Sequence, residues 1–442
     1  MTLTEIKRHL AELDATPVKS LGQNFLHDQN LAQWMIRQLN PQPDDRFLEI
    51  GPGLGALTEW LATEVSHVTA IEKDAKMVAF LRNRFSGNPR FQILHEDACE
   101  SDLRGFLPFG SHKLIGNLPY YVSTAILLNF LSQPTPITQA LFTIQREVAE
   151  RLTASPGTPE YGSLTIAVQR RWKVKYLRTL PPTVFYPEPH VDSAVVMLTA
   201  RPSEEISPVD GALLEKTVRQ GFSQRRKQLR KMLGVDMVEW STLAKLIGVS
   251  VQCRAEELSI DQWVRLVQTM NPPAEAHAQQ PTEEIFDVVN EQDEMISQAT
   301  RAEVHAKNLR HRAVHIFVFN QAGELFLQKR SHLKDREAGK WDSSAAGHLD
   351  AGETYLAAAK REIQEELGVT VEVEFAAKIP CSSETGFEFI EVYRARSDGP
   401  FHLHPLEIET GAFFPMPLLA EWIATRPKDF APGFLECMRV ID

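Results

Sequence analysis

At 442 residues the chain is longer than one hydrophobic core usually serves, and its 43% hydrophobic content is enough for folded cores. No apolar run reaches bilayer-spanning length, and the opening stretch MTLTEIKRHLAELDA has no signal-peptide core. Cys99, Cys253, Cys381 and Cys437 show no C-x-x-C spacing, so a zinc ribbon or disulfide framework is excluded and a soluble cytosolic protein is expected.

The net charge of −11 is unevenly placed. Residues 1–270 carry 30 Lys+Arg against 29 Asp+Glu, whereas residues 271–442 carry 17 against 29. Only the first part can offer nucleic acid a surface free of strong repulsion, and the acidic second part suits a metal-dependent site.

In chain order, RFLEI, HVTAIE, RFQILHED and HKLIGN read as strands. LTEWLATEV, MVAFLRNRF and Ser123–Leu131 read as the helices between and after them. This alternation predicts a parallel sheet with helices on both faces, closed by the β-rich SAVVMLTA. From about Pro208 the pattern turns helical. The Pro-, Ala- and Gln-rich stretch from 271 to 281 reads as a linker. Beyond it, HIFVFN, ELFLQKR and VEVEF are strand-like and LAAAKREIQEEL is a helix.

The first chemistry lies in "FLEIGPGLGALTEWL". Gly51, Gly53 and Gly55 permit a tight strand-to-helix turn and close approach of a ligand. A glycine turn alone also serves ordinary packing, but Glu72 ends the next strand and Asp97 the third. A carboxylate at Glu72 can grip two ribose hydroxyls, and one at Asp97 can accept from an adenine amine. The E-x-G-x-G-x-G register departs from the dinucleotide pattern and favours an adenosine with a short zwitterionic tail, such as S-adenosylmethionine.

The fourth strand ends at Asn117-Leu118-Pro119-Tyr120. An adenine N6 is a poor nucleophile because its lone pair is delocalised into the ring. The Asn117 side-chain oxygen and the Leu118 carbonyl, accepting its hydrogens, would draw N6 toward a tetrahedral form able to attack a sulfonium methyl. Pro119 fixes the loop, and Tyr120 offers a face to a flipped base.

With "KSLGQNFLHD", "LEIGPGLGALT", "GNLPYYVST", "FYPEPHVDSAVV" and "GFSQRRKQLRKML" in this order, residues 19–270 resemble the ribosomal RNA adenine N6,N6-dimethyltransferases. The small-subunit branch is favoured, because the large-subunit branch usually has isoleucine where Leu118 stands. The resemblance implies a Rossmann-like α/β catalytic domain over 1–202 and an all-helical RNA-binding subdomain over 203–270. It implies donor contacts from Gln23, Asn24, Leu26, Gly51, Gly53, Glu72, Lys73, Asp97, Ala98 and Asn117, base stacking by Tyr120 and Phe185, and 16S rRNA in the immature small subunit as partner. Tyr121 stands where relatives often have asparagine, a change the mechanism tolerates. Arg225, Arg226, Lys227, Arg230 and Lys231 fall within two helical turns and read as a phosphate-gripping patch.

The second chemistry is "GHLDAGETYLAAAKREIQEELGV", Gly347 to Val369, which fits G-x5-E-x7-R-E-U-x-E-E-x-G-U, where U is a bulky aliphatic. Glu362, Glu365 and Glu366 share one helix face, with Leu356, Ala359, Ile363 and Leu367 expected on the core side. Like charges so placed repel by roughly 0.2–0.5 kcal/mol per pair, a cost that a divalent cation, Mg²⁺ or Mn²⁺, would convert to coordination. The segment resembles a Nudix box, which implies an α/β/α sandwich over 282–442 that hydrolyses a diphosphate on an unidentified group X, a small molecule. Glu362 and Glu365 are implied in catalysis, Arg361 orients a glutamate, and Glu353 supports the loop or a metal.

"NLRHRAVHIFVFN" and "LFLQKRS" further resemble isopentenyl-diphosphate isomerases and their hydrolase-like relatives. This places His305, His311 and His348 near metal-ligating positions, with Glu388 and Glu391 as candidate late acids. Ala346 stands where the isomerase has its catalytic cysteine, so hydrolysis is expected over isomerisation.

Overall fold

The computed structural model describes residues 1–17, 22–271 and 284–441. The expected linker, apart from Asn271, lies outside the described residues, as do Lys19, Ser20 and Leu21 of the first motif. The chain forms two compact units, one of Met1–Ile206 with Val218–Gln262, the other of Ser207–Thr217 with Trp263–Asp442. Among the described residues no helix is long and apolar enough to cross a membrane.

The first unit is built on seven strands: β1 (Arg46–Ile50), β2 (His67–Glu72), β3 (Phe91–His95), β4 (His112–Asn117), β5 (Ile137–Gln145), β6 (Trp172–Leu180) and β7 (Ser193–Ala200). Their order is β3-β2-β1-β4-β5-β7-β6, with β1 to β5 parallel and β6 and β7 antiparallel. β1 and β4 are the central strands, and Phe47, Leu48, Leu114 and Ile115 are fully buried, which is why these segments read as near-continuous apolar runs. The strand order reverses between β1 and β4. A crevice therefore opens at their carboxyl ends, beside α1 (Thr58–Glu64), α2 (Ala75–Arg84) and α3 (Ser123–Leu131). Asp74 caps α2 by accepting from the Lys76 N–H at 2.8 Å.

The basic run is a correction to the helical reading. Phe222–Gln224 is a 3₁₀ turn, Arg225 to Gln228 is not α-helical, and α4 (Leu229–Leu233) begins only afterwards, followed by α5 (Met237–Ile247). Leu229 is fully buried, so the chain turns to place it inward at the cost of a continuous basic face.

The second unit carries β8 (His311–Phe319), β9 (Leu325–Arg330), β10 (Trp341–Asp342), β11 (Ala345–His348), β12 (Val373–Ile379), β13 (Glu388–Arg396) and β14 (Ile408–Phe414). Its path is β10-β9-β8-β13-β12, with β11 paired to β8 and β14 to β9. The parallel β8–β13 pair runs from His311↔Glu388 to Phe319↔Arg396 and forms the spine. Across it packs α6 (Tyr355–Leu367), capped by Thr354 and ended by Gly368 at φ +69°. Its buried stripe is Ala358, Ala359, Ile363 and Leu367. Leu356, expected in that stripe, is 47% exposed, whereas Ala358 on the opposite flank is buried: the face α6 turns inward is rotated away from Leu356, toward Glu362 and Glu366.

Candidate functional site

In the first unit the three acid- and amide-bearing strand ends converge. Gly51, Gly53 and Gly55 all hold positive φ, and a Cβ on Gly53 would press the Phe25 ring at 3.0 Å. Glu72 receives the Gly53 N–H at 3.2 Å and the Asp74 N–H at 2.9 Å, which fixes its carboxylate at the turn. Burial raises its carboxyl despite those donors. Asp97 meets the Lys73 ammonium at 2.5 Å and the Cys99 N–H at 2.9 Å, which together hold it below the usual carboxylate range.

A cavity of about 160 Å³ opens between these ends. Every residue implied in donor binding lines it: Gln23, Asn24, Leu26, Gly51, Gly53, Glu72, Lys73, Asp97, Ala98 and Asn117. Asn117 Nδ2 donates to the Asn24 carbonyl at 2.8 Å, so the carboxamide nitrogen is fixed and its oxygen is left as the acceptor. The loop's own donors go to the Pro119 and Tyr120 carbonyls, from the Val122 N–H and the Ser123 hydroxyl, and the Leu118 N–H donates to Thr143 O at 3.0 Å.

The Tyr120 hydroxyl pairs with the Ser193 hydroxyl, which anchors the ring. Tyr120 does not line the cavity, whereas Tyr121 does and is 59% exposed. Tyr121 was read as an incidental substitution, so its place at the mouth is a residue the sequence reasoning passed over. Phe185 is only 2% exposed. Its pairing with Leu26 turns the ring into the core with Leu180 and Val195, so it offers no face to a base in this structure.

Glu49, fully buried behind the turn, accepts from the Thr58 hydroxyl at 2.7 Å, and burial pushes its carboxyl up to about 7. A folded-state value above the unfolded one of about 4.5 means that its stabilisation is complete below pH ~4.5. It is lost as pH rises through 7, a swing of about 3 kcal/mol. Glu49→Gln is expected to match the wild type in urea unfolding at pH 4.5 and to exceed it at pH 8. Equal pH dependence in both proteins would refute this assignment.

Of the basic run, Arg225, Arg226, Lys227 and Lys231 are exposed. Arg225 donates to Tyr161 O at 2.6 Å and lies 3.7 Å from Glu256, while Arg230 donates to Val235 O at 3.2 Å.

In the second unit the box folds around Arg361. Its guanidinium donates to Glu353 at 2.9 and 3.1 Å, to Glu362 at 2.8 Å, to Glu365 at 3.2 Å and to His348 O at 3.0 Å. Glu353 also accepts the Asp350 N–H, so it supports the loop. Glu366 accepts from Gln328 at 2.9 Å and from the Ala346 N–H at 3.0 Å. Burial pushes the Glu366 carboxyl up to about 8, and burial raises Glu362 as well. A Cβ on Gly347 would overlap the Glu362 carboxylate, which explains the fixed glycine of the box.

Glu362, Glu365, Glu366 and His348 line a cavity of about 380 Å³. Oxygen donors at i, i+3 and i+4, two of them buried with raised carboxyls, fit a hard divalent cation.

His305, His311 and His348 form a second cluster, with ligand atoms within 4.8 Å of one another. Nε2 of His305 and of His311 are buried and, among the described residues, accept or donate no hydrogen bond. His348 Nε2 lies 3.2 Å from Glu388 and its Nδ1 3.4 Å from an Arg301 nitrogen. Burial lowers His305 to about 4 and His348 to about 3, leaving neutral imidazoles, the ligating form. Glu388 belongs to this cluster. Glu391 does not: it accepts from Tyr393 at 2.8 Å and Lys378 at 3.3 Å. His305 Nε2, with no hydrogen-bond partner among the described residues, and His311 Nε2, 3.6 Å from Glu388, fit a cation with mixed nitrogen and oxygen ligands.

Residues 16–271 match the family model described as ribosomal RNA adenine dimethylase, and residues 309–433 match that of the NUDIX domain. The chain is 41% identical over 261 residues to the ribosomal RNA small subunit methyltransferase A of Alcanivorax borkumensis, covering 58% of this chain and 91% of that protein. With its counterpart from Lactiplantibacillus plantarum the identity is 37% over 267 residues, 57% of this chain and 90% of that one. A crystal structure of a dimethyladenosine transferase from Plasmodium falciparum superposes with a TM-score of 0.48 at 22% identity, covering 56% of this chain and 97% of that chain.

Proposed function

The chain belongs to the ribosomal RNA adenine dimethylase family, and from that premise we propose that it transfers methyl groups from S-adenosylmethionine to N6 of two adjacent adenines in small-subunit rRNA. Both matched families are families of enzymes. The observation that carries the first reading is the Asn117 carboxamide, held by Asn24 in the wall of the cavity at the strand ends with its oxygen as acceptor.

In the proposed reaction Glu72 holds the donor's ribose hydroxyls and Asp97 its adenine amine. The target adenine enters beside Tyr120, whose ring Ser193 anchors. The Asn117 oxygen and the Leu118 carbonyl accept from N6, and the N6 lone pair forms the new N–C bond as the methyl's S–C bond breaks. S-adenosylhomocysteine leaves and N6 loses one proton to solvent. A second round on the same nitrogen gives the dimethyl product. Transfer of labelled methyl groups to undermethylated small subunits tests this reading: no incorporation refutes it.

Arg226, Lys227 and Lys231 are the proposed phosphate contacts, with Arg225 beside them and Arg230 supporting the turn. Replacing Arg226, Lys227 and Lys231 by alanine is expected to weaken small-subunit RNA binding about tenfold at moderate salt. It should also flatten the salt dependence by up to about three phosphate contacts. An unchanged salt slope would remove the patch from the interface.

For the second unit the proposed activity is hydrolysis of X-diphosphate to X-phosphate and phosphate, one water being consumed. Glu362, Glu365 and Glu366 would hold Mg²⁺ or Mn²⁺, and His305, His311, His348 and Glu388 a second cation. A bound divalent cation supplies Lewis acidity toward the diphosphate oxygens and acidity to water. Arg361 keeps Glu362 and Glu365 in register with the loop. Ala346, in the cavity wall, carries no group able to shuttle a proton, which supports hydrolysis over isomerisation.

A further inference from the structure

β8 brings to the cavity of the second unit a side chain that neither the box nor the histidine cluster uses. Ala313 and His315 alternate onto the cavity face of β8, where they pair with His348 and Ala346 of β11. Side chains paired in this way stand about 5 Å apart at Cβ. The Ala346 N–H reaches Glu366 at 3.0 Å. His315 is therefore one strand away from the box glutamates, opposite the alanine that carries no proton-shuttling group.

The His315 imidazole is 6% exposed and is held at one nitrogen. Its Nδ1 lies 2.7 Å from the Ser343 hydroxyl and 3.8 Å from Asp342 Oδ1. Asp342 is itself fixed, accepting from the Ser343 N–H at 2.8 Å and from Arg330 at 3.0 Å. A carboxylate on that side favours the proton on Nδ1, which leaves the lone pair on Nε2. Nε2 makes no hydrogen bond among the described residues. It stands beside Gly433, where a Cβ would come within 3.5 Å of it, and both residues line the cavity. Burial lowers this imidazole below its ordinary value; Asp342 and Glu388 oppose the shift and Arg330 adds to it. The ring is thus neutral, the form that accepts a proton.

The carboxylates around it are committed. Glu362 and Glu365 accept from Arg361, Glu366 from Gln328 and the Ala346 N–H, and Glu407 pairs with Lys334. His348 is engaged at both nitrogens, by Glu388 and Arg301.

We propose that His315 is a catalytic residue of the diphosphate hydrolysis, its Nε2 taking the proton of the attacking water. The proposal rests on the hydrolase reading. The water oxygen forms the new bond to phosphorus as the bond from phosphorus to the bridging oxygen breaks. The water's proton passes to Nε2 and then to solvent, and phosphate and X-phosphate leave. Ser343 and Asp342 are positioning residues that fix the tautomer.

The full chain is assayed with Mg²⁺ on ADP, CDP and isopentenyl diphosphate by phosphate release, and the probe turned over best is carried forward. His315→Gln is expected to lower kcat about a hundredfold, with KM and Mn²⁺ affinity within threefold of wild type. Nitrogen NMR of the full chain carrying isotope-labelled histidine is expected to show an unprotonated Nε2 that the variant lacks. A kcat within threefold of wild type, a matching loss of Mn²⁺ binding, or a protonated Nε2 would overturn the proposal and leave the hydrolase reading intact. Where the glutamine variant does not fold, Ser343→Ala decides: a kcat about tenfold lower with a shift of the same resonance is expected, and the absence of either overturns the proposal. Turnover of none of the three probes by the wild-type chain would overturn the hydrolase reading as well.

Discussion

Replacing Asn117 by alanine is expected to lower methyl transfer by about two to three powers of ten while changing donor affinity only a few-fold. The size follows from what the carboxamide does. It acts on N6 as its geometry changes toward the transition state, so losing it resembles the loss of one preorganised polar partner. Its nitrogen is committed to the Asn24 carbonyl, and its oxygen is one of two acceptors proposed for the adenine amine. Donor binding is shared with Glu72, Asp97 and the glycine turn and should survive. The measurement is single-turnover methylation of small subunits beside calorimetric titration of S-adenosylhomocysteine. Diphosphate hydrolysis by the same variant serves as an internal check on the chain's integrity. A variant that methylates within threefold of wild type would remove the amide from the chemistry.

The second large effect is expected at Glu362 and Glu366. Both are buried and both carboxyls are raised by that burial, Glu366 to about 8, so each lacks a compensating cation beyond Arg361 and Lys334 nearby. Glu366→Gln keeps an acceptor for the Ala346 N–H and nearly the same volume, but removes the charge. Hydrolysis is expected to fall by about three powers of ten, comparable to losing a preorganised electrostatic contact to the reacting centre. Mn²⁺ titration of the full chain should show weakened binding at that site. Glu362→Gln should behave alike, whereas Glu353→Gln, one shell away on Arg361, should cost less in activity. Unchanged Mn²⁺ affinity in both buried variants would refute the metal assignment.

Much of this was legible in the sequence where one local rule dominates. RFLEI, HVTAIE and HKLIGN were read as strands and are β1, β2 and β4 at those bounds, because central parallel strands are buried on both faces and read as unbroken apolar runs. The glycine turn, the acids at successive strand ends and the three box glutamates follow from spacing alone, since neighbouring strands and helical turns bring them together whatever surrounds them.

What was not legible depends on tertiary packing. Leu356 and Ala358 lie on opposite flanks of α6, and only the packing beneath the helix decides which flank is covered. The basic run satisfies a helical pattern, but the inward pull on Leu229 breaks it. Phe185 follows the family motif yet turns into the core through its pairing with Leu26, and Tyr121 gains its position from a loop whose course no periodicity predicts. Lys334 and Glu407 lie far apart in sequence and meet only because the β9–β10 connection and the segment before β14 converge on the cavity.

The most direct test of the central claim is nucleoside mass spectrometry of small-subunit rRNA. Undermethylated subunits are incubated with the purified chain and isotopically labelled S-adenosylmethionine, then the rRNA is cut into defined fragments. The account predicts labelled N6,N6-dimethyladenosine at two adjacent positions of a single fragment, formed about two to three powers of ten more slowly when Asn117→Ala replaces the wild-type chain. Label on any other base, or on the ribose, would contradict it.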